Sequence, residues 1–151
     1  MVKNSFSGHD MRQILVRAKT CTLSTISHKD GAPFGALANI ATDKSGRPVL
    51  LMSTLAWHTR NLIADPRASV MVAEVPQAGD ALTGPRVTVI GRFERSDDTN
   101  LRSRYLVHHP YAELYADFGD FSFWLMTPSI VHGVAGFGRI ETLTPEEVFG
   151  I

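Results

Sequence analysis

Two mostly apolar runs, separated by a polar segment, stand near the middle of the chain. Residues 49–52 and 70–75 are bounded by proline and charged residues, and their length favours buried strands over helices. Between them, residue 58 begins a helical turn that Asp65 ends, because the residue before a proline is pushed out of the α region. A helix N-terminus after a strand favours a bound anion. A surface loop with a capped short helix explains the same pattern.

The rest of the chain combines strand-like alternation with a few helical stretches. Strands are predicted at residues 21–27, 34–42, 49–52, 70–75, 86–94, 121–126 and 130–137. Helical segments are predicted at residues 8–19, 58–65, 96–109 and 111–118, with a last one beginning at Thr144. Six or seven short strands joined by turns, without strand–helix alternation, indicate an antiparallel barrel or sandwich with peripheral helices.

Composition narrows the class of protein. A chain of 151 residues predicts a single domain spanning residues 1–151. Fifteen basic residues balance fifteen acidic ones, so no overall field draws the protein to nucleic acid or to a membrane. The apolar runs are too short to cross a bilayer and no signal peptide is visible, so we expect a soluble, cytoplasmic protein. The lone Cys21 excludes an internal disulfide and is predicted to be a core residue.

Two segments suggest a bound ligand. Gly35, Ala36 and Ala38 are small residues within a predicted strand, and small side chains let a flat ligand or another backbone approach closely. A tight barrel corner needs the same residues. His58 and Arg60 lie at the predicted helix start, where they suit an anion site. No histidine spacing typical of a metal site occurs, so no metal is predicted.

Five blocks occur in order and cover most of the chain. They are LSTIS, GAPFGALANIATDKSGRPVLLMSTLAWHTRNLIADPRASVMV, RVTVIGRF, LVHHPYAELYADFGDFSFW and VHGVAGFGR. In these blocks the chain resembles the FMN-binding split-barrel proteins, the superfamily of pyridoxamine 5′-phosphate oxidase. Within that superfamily it is most similar to the branch related to haem-utilisation proteins.

The resemblance implies a mainly β fold, a six- to seven-stranded antiparallel split β-barrel. It also implies a homodimer with FMN at the subunit interface. The residues that it assigns to FMN are Gly35, Ala36, Leu37, Ala38 and Asn39 along the ring, Met52, Ser53, His58, Thr59 and Arg60 around the phosphate and ribityl chain, and Arg86 near the ring. Trp57, Trp124 and Phe137 are assigned to a wall contributed across the dimer.

The leading functional hypothesis is an FMN-dependent oxidoreductase that takes electrons from a small-molecule substrate or a nicotinamide donor. Flavin chemistry needs no protein nucleophile, so no catalytic residue is assigned. The Arg-x-His pair of true pyridoxamine phosphate oxidases is missing, because residues 136–139 read GFGR. A haem-binding or haem-degrading protein is the alternative, suggested by the branch and by His108, His109 and His132. A non-catalytic flavin carrier is the third possibility.

Overall fold

The apolar pattern folds into one antiparallel sheet with helices around it. The computed structural model describes residues 6–136 and 138–151. In chain order the elements are α1 (Gly8–Arg17), β1 (Thr20–Ile26), β2 (Pro33–Asn39), β3 (Ala41–Thr42), β4 (Pro48–Ser53), α2 (Trp57–Ala64), β5 (Arg67–Ala73), β6 (Arg86–Ser96), α3 (Thr99–His108), β7 (Phe121–Val134), β8 (Ile140–Leu143) and α4 (Pro145–Phe149). Two 3₁₀ turns lie at Ala81–Thr83 and Pro110–Leu114.

Within the described residues the sheet has eight strands in the order β2-β1-β5-β6-β7-β4-β3, and β8 pairs with β7. All pairings are antiparallel. Strand β7 runs along β6, while its other edge pairs first with β4 and then with β8. The sheet curls into a half-barrel, which confirms the predicted mainly β split-barrel architecture, with eight strands rather than six or seven.

Strand β7 is the main departure from the predicted strands. Residues 121–126 and 130–137 are predicted as separate strands joined by a turn, and this is wrong, because β7 continues through Pro128. A bulge makes the continuation possible: Ile90 pairs with Ile130 whereas Gly91 pairs with Pro128, which leaves Ser129 as the extra residue. The Ser129 hydroxyl donates to the Ile90 carbonyl at 3.0 Å. Proline is tolerated in a strand at such a bulge.

The predicted helices differ from the observed ones mainly at their ends. At α1 the predicted capping box is confirmed, since Ser7 Oγ accepts from the Asp10 N–H and the Asp10 carboxylate accepts from the Ser7 N–H. Helix α3 begins later than predicted because Asp98 is its N-cap. The predicted helix at 111–118 is a shorter 3₁₀ turn. Helix α4 begins with the predicted Thr144 cap.

The core lies inside the curled sheet, with a smaller second cluster beneath α3. The main cluster includes Leu23, Ile40, Leu50, Val70, Val89, Phe93 and Met126, and helix α1 adds Met11, Ile14 and Leu15. The second cluster includes Val49, Leu101, Tyr105 and Phe123. Cys21 is buried as predicted, and burial raises the pKa of its thiol to about 12. Across the described ranges no helix has the length and apolar character needed to span a bilayer.

Candidate functional site

A groove with a volume of about 320 Å³ opens beside the edge strand β2. Its lining residues are Leu37, Ala38, Asn39, Leu51, Met52, Ser53, Ala56, His58, Tyr105, Tyr115 and Phe121. Among the described strands, β2 pairs only with β1. Backbone groups along its other edge are therefore free to meet a ligand.

Aromatic side chains form one wall of this groove. The Tyr105 ring packs against Phe123 with centroids 5.5 Å apart, and Tyr115 packs against Phe121 at 5.0 Å. Burial raises the pKa of both the Tyr105 and the Tyr115 phenol, so neither carries charge at neutral pH. An uncharged aromatic wall beside a free backbone edge suits a flat, largely apolar ring.

The N-terminus of α2 reaches the groove at Ala56 and His58. Ala56 is the N-cap residue and supplies no side-chain hydrogen bond to the helix. The first N–H groups of α2 therefore lack a side-chain cap and, with the helix dipole, favour a negative group. The nearby Ser53 hydroxyl donates to the Asp120 carboxylate at 2.6 Å, so its proton is not available to an anion.

His58 and Arg60, which the sequence places together at an anion site, lie apart in the structure. His58 lines the groove, but Arg60 is exposed and its Nε–H donates to the Thr54 carbonyl at 3.3 Å. Residues two apart in a helix do not face each other, which is why the pair separates. Burial also lowers the pKa of His58, so its imidazole is neutral at pH 7. The groove of one subunit therefore offers N–H groups and a neutral imidazole, and Arg60 does not line it.

A buried carboxamide that the sequence analysis missed holds α2 in place. Asn61 is fully buried. Its Nδ2–H donates to Thr25 Oγ1 at 3.0 Å, while its Oδ1 accepts from the backbone N–H of His28 at 2.8 Å and from His28 Nδ1–H at 2.6 Å. These bonds join α2 to β1 and to the turn that follows it. In the sequence, the position of Asn61 directly before the apolar Leu62 in a short helix is the signal that could have indicated a buried carboxamide.

The structure brings together only part of the predicted cofactor-binding set. The predicted residues that line the groove are Leu37, Ala38, Asn39, Met52, Ser53 and His58. Gly35 and Ala36 lie further along β2, outside the groove lining. Thr59 is buried and is not among the lining residues, and its hydroxyl has no partner among the described residues.

The predicted ring and wall residues lie elsewhere. Arg86 lies on β6, where its Nη1–H donates to the Leu82 carbonyl at 2.9 Å. Trp124 is 4% exposed and belongs to the core, with the Arg95 guanidinium 5.4 Å from its ring, so it cannot serve as an exposed wall. Trp57 is partly exposed and stacks on Phe34 with ring centroids 5.8 Å apart. Phe137 lies outside the described residues.

His108 and His109, considered as haem ligands, have structural roles instead. His108 Nε2–H donates to the Ala18 carbonyl at 2.7 Å, and Lys19 Nζ lies 3.3 Å from its Nδ1. His109 is buried, and its Nε2–H donates to the Ile40 carbonyl at 2.7 Å. The Tyr111 hydroxyl lies 3.1 Å from His109 Nδ1. Both rings thus hold the end of α3 against the sheet, which leaves them no free nitrogen for iron.

Comparison with known proteins identifies the family of this chain. The family described as CREG, beta-barrel matches residues 9–149. The chain belongs to this family. The matched range includes every residue that lines the groove, so the groove belongs to the CREG β-barrel.

Named relatives of this CREG β-barrel chain include haem proteins. The non-canonical heme oxygenase HOZ of Arabidopsis thaliana chloroplasts is 38% identical over 131 residues, which cover 84% of this chain and 40% of that protein. The structure of a heme binding protein from Mycobacterium smegmatis matches with a TM-score of 0.88 and 31% identity, over 99% of this chain and 62% of the other. The chain therefore spans less than two thirds of the length of either relative.

A more distant structure shares the fold. A protein related to general stress protein 26, of the pyridoxinephosphate oxidase family, from Clostridium acetobutylicum matches with a TM-score of 0.69 and 14% identity. The match covers 98% of this chain and 100% of the other. At this identity the likeness shows a shared fold alone, and that fold agrees with the split-barrel architecture of the sheet.

Proposed function

We propose that this protein binds haem in the groove beside β2 and takes part in the oxidative degradation of haem. The observation that carries the proposal is the groove itself, in which a free strand edge faces an uncharged aromatic wall. The relatives named as a heme oxygenase and a heme binding protein favour haem over other flat ligands.

The lining residues fit a porphyrin. Leu37, Met52 and Phe121 offer apolar contacts to a flat ring, and His58 adds a neutral imidazole among them. When bound, haem iron supplies the oxygen chemistry. The residues of the groove would bind the ring, orient it and exclude water. The phenols of Tyr105 and Tyr115 remain protonated and can donate hydrogen bonds within the groove.

The proposed working unit is a homodimer with the cofactor at the subunit interface. At about 320 Å³ the groove lies near the lower end of the roughly 300–1,000 Å³ of ligand pockets, so a large ring extends beyond one subunit. The outer face of β5, β6 and β7 carries a row formed by Ser69, Ile90 and Ile130, and Ile90 is 45% exposed. We expect a second copy to cover this face.

Arg86 fits the same proposal. It shares the outer face of β6 with Ile90, because alternate residues of a strand point to the same side. It does not line the groove of its own subunit. Any contact that Arg86 makes with a bound ring therefore has to cross the proposed interface.

An FMN-dependent oxidoreductase is the second candidate function. The observation that favours it is the N-terminus of α2 at the groove, which has no side-chain cap and suits a phosphate. The small side chain of Ala38 leaves room for an isoalloxazine ring along β2. Reduction of bound FMN by a nicotinamide donor would distinguish an oxidoreductase from a non-catalytic carrier.

Titration of the purified protein with haemin, and separately with FMN, tests both candidates. We expect a shifted Soret band at one haem per subunit, and loss of this band when ascorbate and oxygen are added. A protein that quenches FMN fluorescence but leaves the haemin spectrum unchanged would overturn the haem proposal in favour of FMN. Binding of neither ligand would overturn both candidates.

A further inference from the structure

We infer that His58 would coordinate the iron of a haem bound in the groove beside β2. This inference rests on the proposed haem function and adds the residue that holds the metal. It follows from where the histidines of the chain lie and from which of their ring nitrogens are already bonded.

The chain has six histidines, and other contacts account for most of them. His108 and His109 bond the backbone at the end of α3. His28 donates through Nδ1–H to Asn61 and lies outside the groove lining. His132 contacts Thr142 on the outer face of the sheet, and His9 is exposed on α1. Only His58 combines a place in the groove with ring nitrogens that bond none of the described residues.

The surroundings of His58 suit an iron ligand. Iron binds imidazole through a ring nitrogen, and the ring nitrogens of the half-buried His58 bond none of the described residues. Leu37, Met52 and Tyr105 line the same groove, so a ring lying against them would be shielded from water.

Helix α2 is fixed firmly enough to hold a ligand. Asn61 lies three residues after His58, one helical turn further along, and makes hydrogen bonds to Thr25 and His28. These bonds connect the helix to β1 and its turn, and Leu62 anchors it to the core. The backbone that carries His58 is therefore held at several points, which favours a defined ligand geometry.

The test is the haemin spectrum of the full chain with His58→Ala, with His132→Ala as a matched control. Wild-type protein should show the absorption and electron paramagnetic resonance spectra of histidine-ligated ferric haem. His58→Ala should lose that signature and bind haemin at least about tenfold more weakly. His132→Ala should match the wild type, and added imidazole should restore the histidine signature to His58→Ala.

Two outcomes separate the failure of this inference from the failure of the proposed function. If His58→Ala keeps the wild-type spectrum, the inference is overturned while haem binding stands. If the wild-type protein leaves the haemin spectrum unchanged, the proposed haem function fails as well. Circular dichroism of each variant checks folding, and His58→Met provides a second variant that should change the ligand signature without leaving a cavity.

Discussion

Asn61 makes the side-chain hydrogen bonds that join α2 to β1 and its turn. Substitution by leucine removes its bonds to Thr25 and His28 and leaves buried polar groups without partners. We expect Asn61→Leu to lower the free energy of unfolding by about 1–3 kcal/mol, measured by urea denaturation. Asn100→Ala, on the exposed side of α3, should change it by less than about 0.5 kcal/mol. Equal effects of the two substitutions would contradict the structural role of Asn61.

His109 makes stability depend on pH. Burial lowers the pKa of its imidazole below the ordinary value of 6.5. As pH falls, the unfolded chain binds a proton before the folded one does, so stability decreases from about pH 6.5 down to the folded-state pKa. His58 acts in the same direction, because burial also lowers its pKa.

The urea midpoint should therefore fall as the pH is lowered from about 7 to 5. His109→Gln, whose amide can still donate to the Ile40 carbonyl, should show a shallower decrease. Measuring the variant at about pH 8 separates lost packing from lost proton linkage. If the urea midpoint of His109→Gln falls with pH as steeply as that of the wild type, His109 does not cause the pH dependence of stability.

The bulge between β6 and β7 allows β7 to continue as one strand through Pro128. A Cβ atom added at Gly91 would collide with the Thr127 carbonyl and approach Pro128 Cα to 2.9 Å. These are backbone atoms that cannot move aside cheaply, so Gly91→Ala should lower stability by about 1–3 kcal/mol. Gly119→Ala is the control, since a Cβ there meets no atom within 4 Å. Thermal unfolding of the two variants gives their melting temperatures. Equal melting temperatures would contradict the close approach of Gly91 to Thr127 and Pro128.

The helix caps and most strands were predicted from local patterns, whereas β8 and the continuation of β7 through Pro128 depend on pairing between strands. The capping residues Ser7 and Thr144 begin helices where the sequence places them. The short strand β8 was missed, because its four residues acquire a strand conformation through pairing with β7. Likewise, Pro128 signals a turn locally, and only the bulge opposite Gly91 allows the strand to continue.

The proposed homodimer makes a prediction for the whole molecule. Ile90 is 45% exposed and Ile130 is 37% exposed on the outer face that we expect a second copy to cover. Light scattering should give the mass of two chains for the wild type and of one chain for Ile90→Asp, because a buried unpaired charge disfavours the interface. Val107→Asp, at an 83% exposed residue of α3, should leave the mass unchanged. A monomeric wild type would refute the dimer.

The sequence by itself determined the fold class and much of the groove. The apolar alternation of the strands and the helix caps led to an antiparallel β fold with peripheral helices, because these signals are local in the chain. The resemblance in the ordered blocks implied the split barrel and the groove residues Leu37–Asn39, Met52, Ser53 and His58. Only the tertiary structure decided that Arg60 points away from the groove, that Trp124 is buried and that Asn61 anchors α2. Side-chain direction, burial and charge state depend on neighbours that are distant in sequence, and folding alone brings those neighbours together.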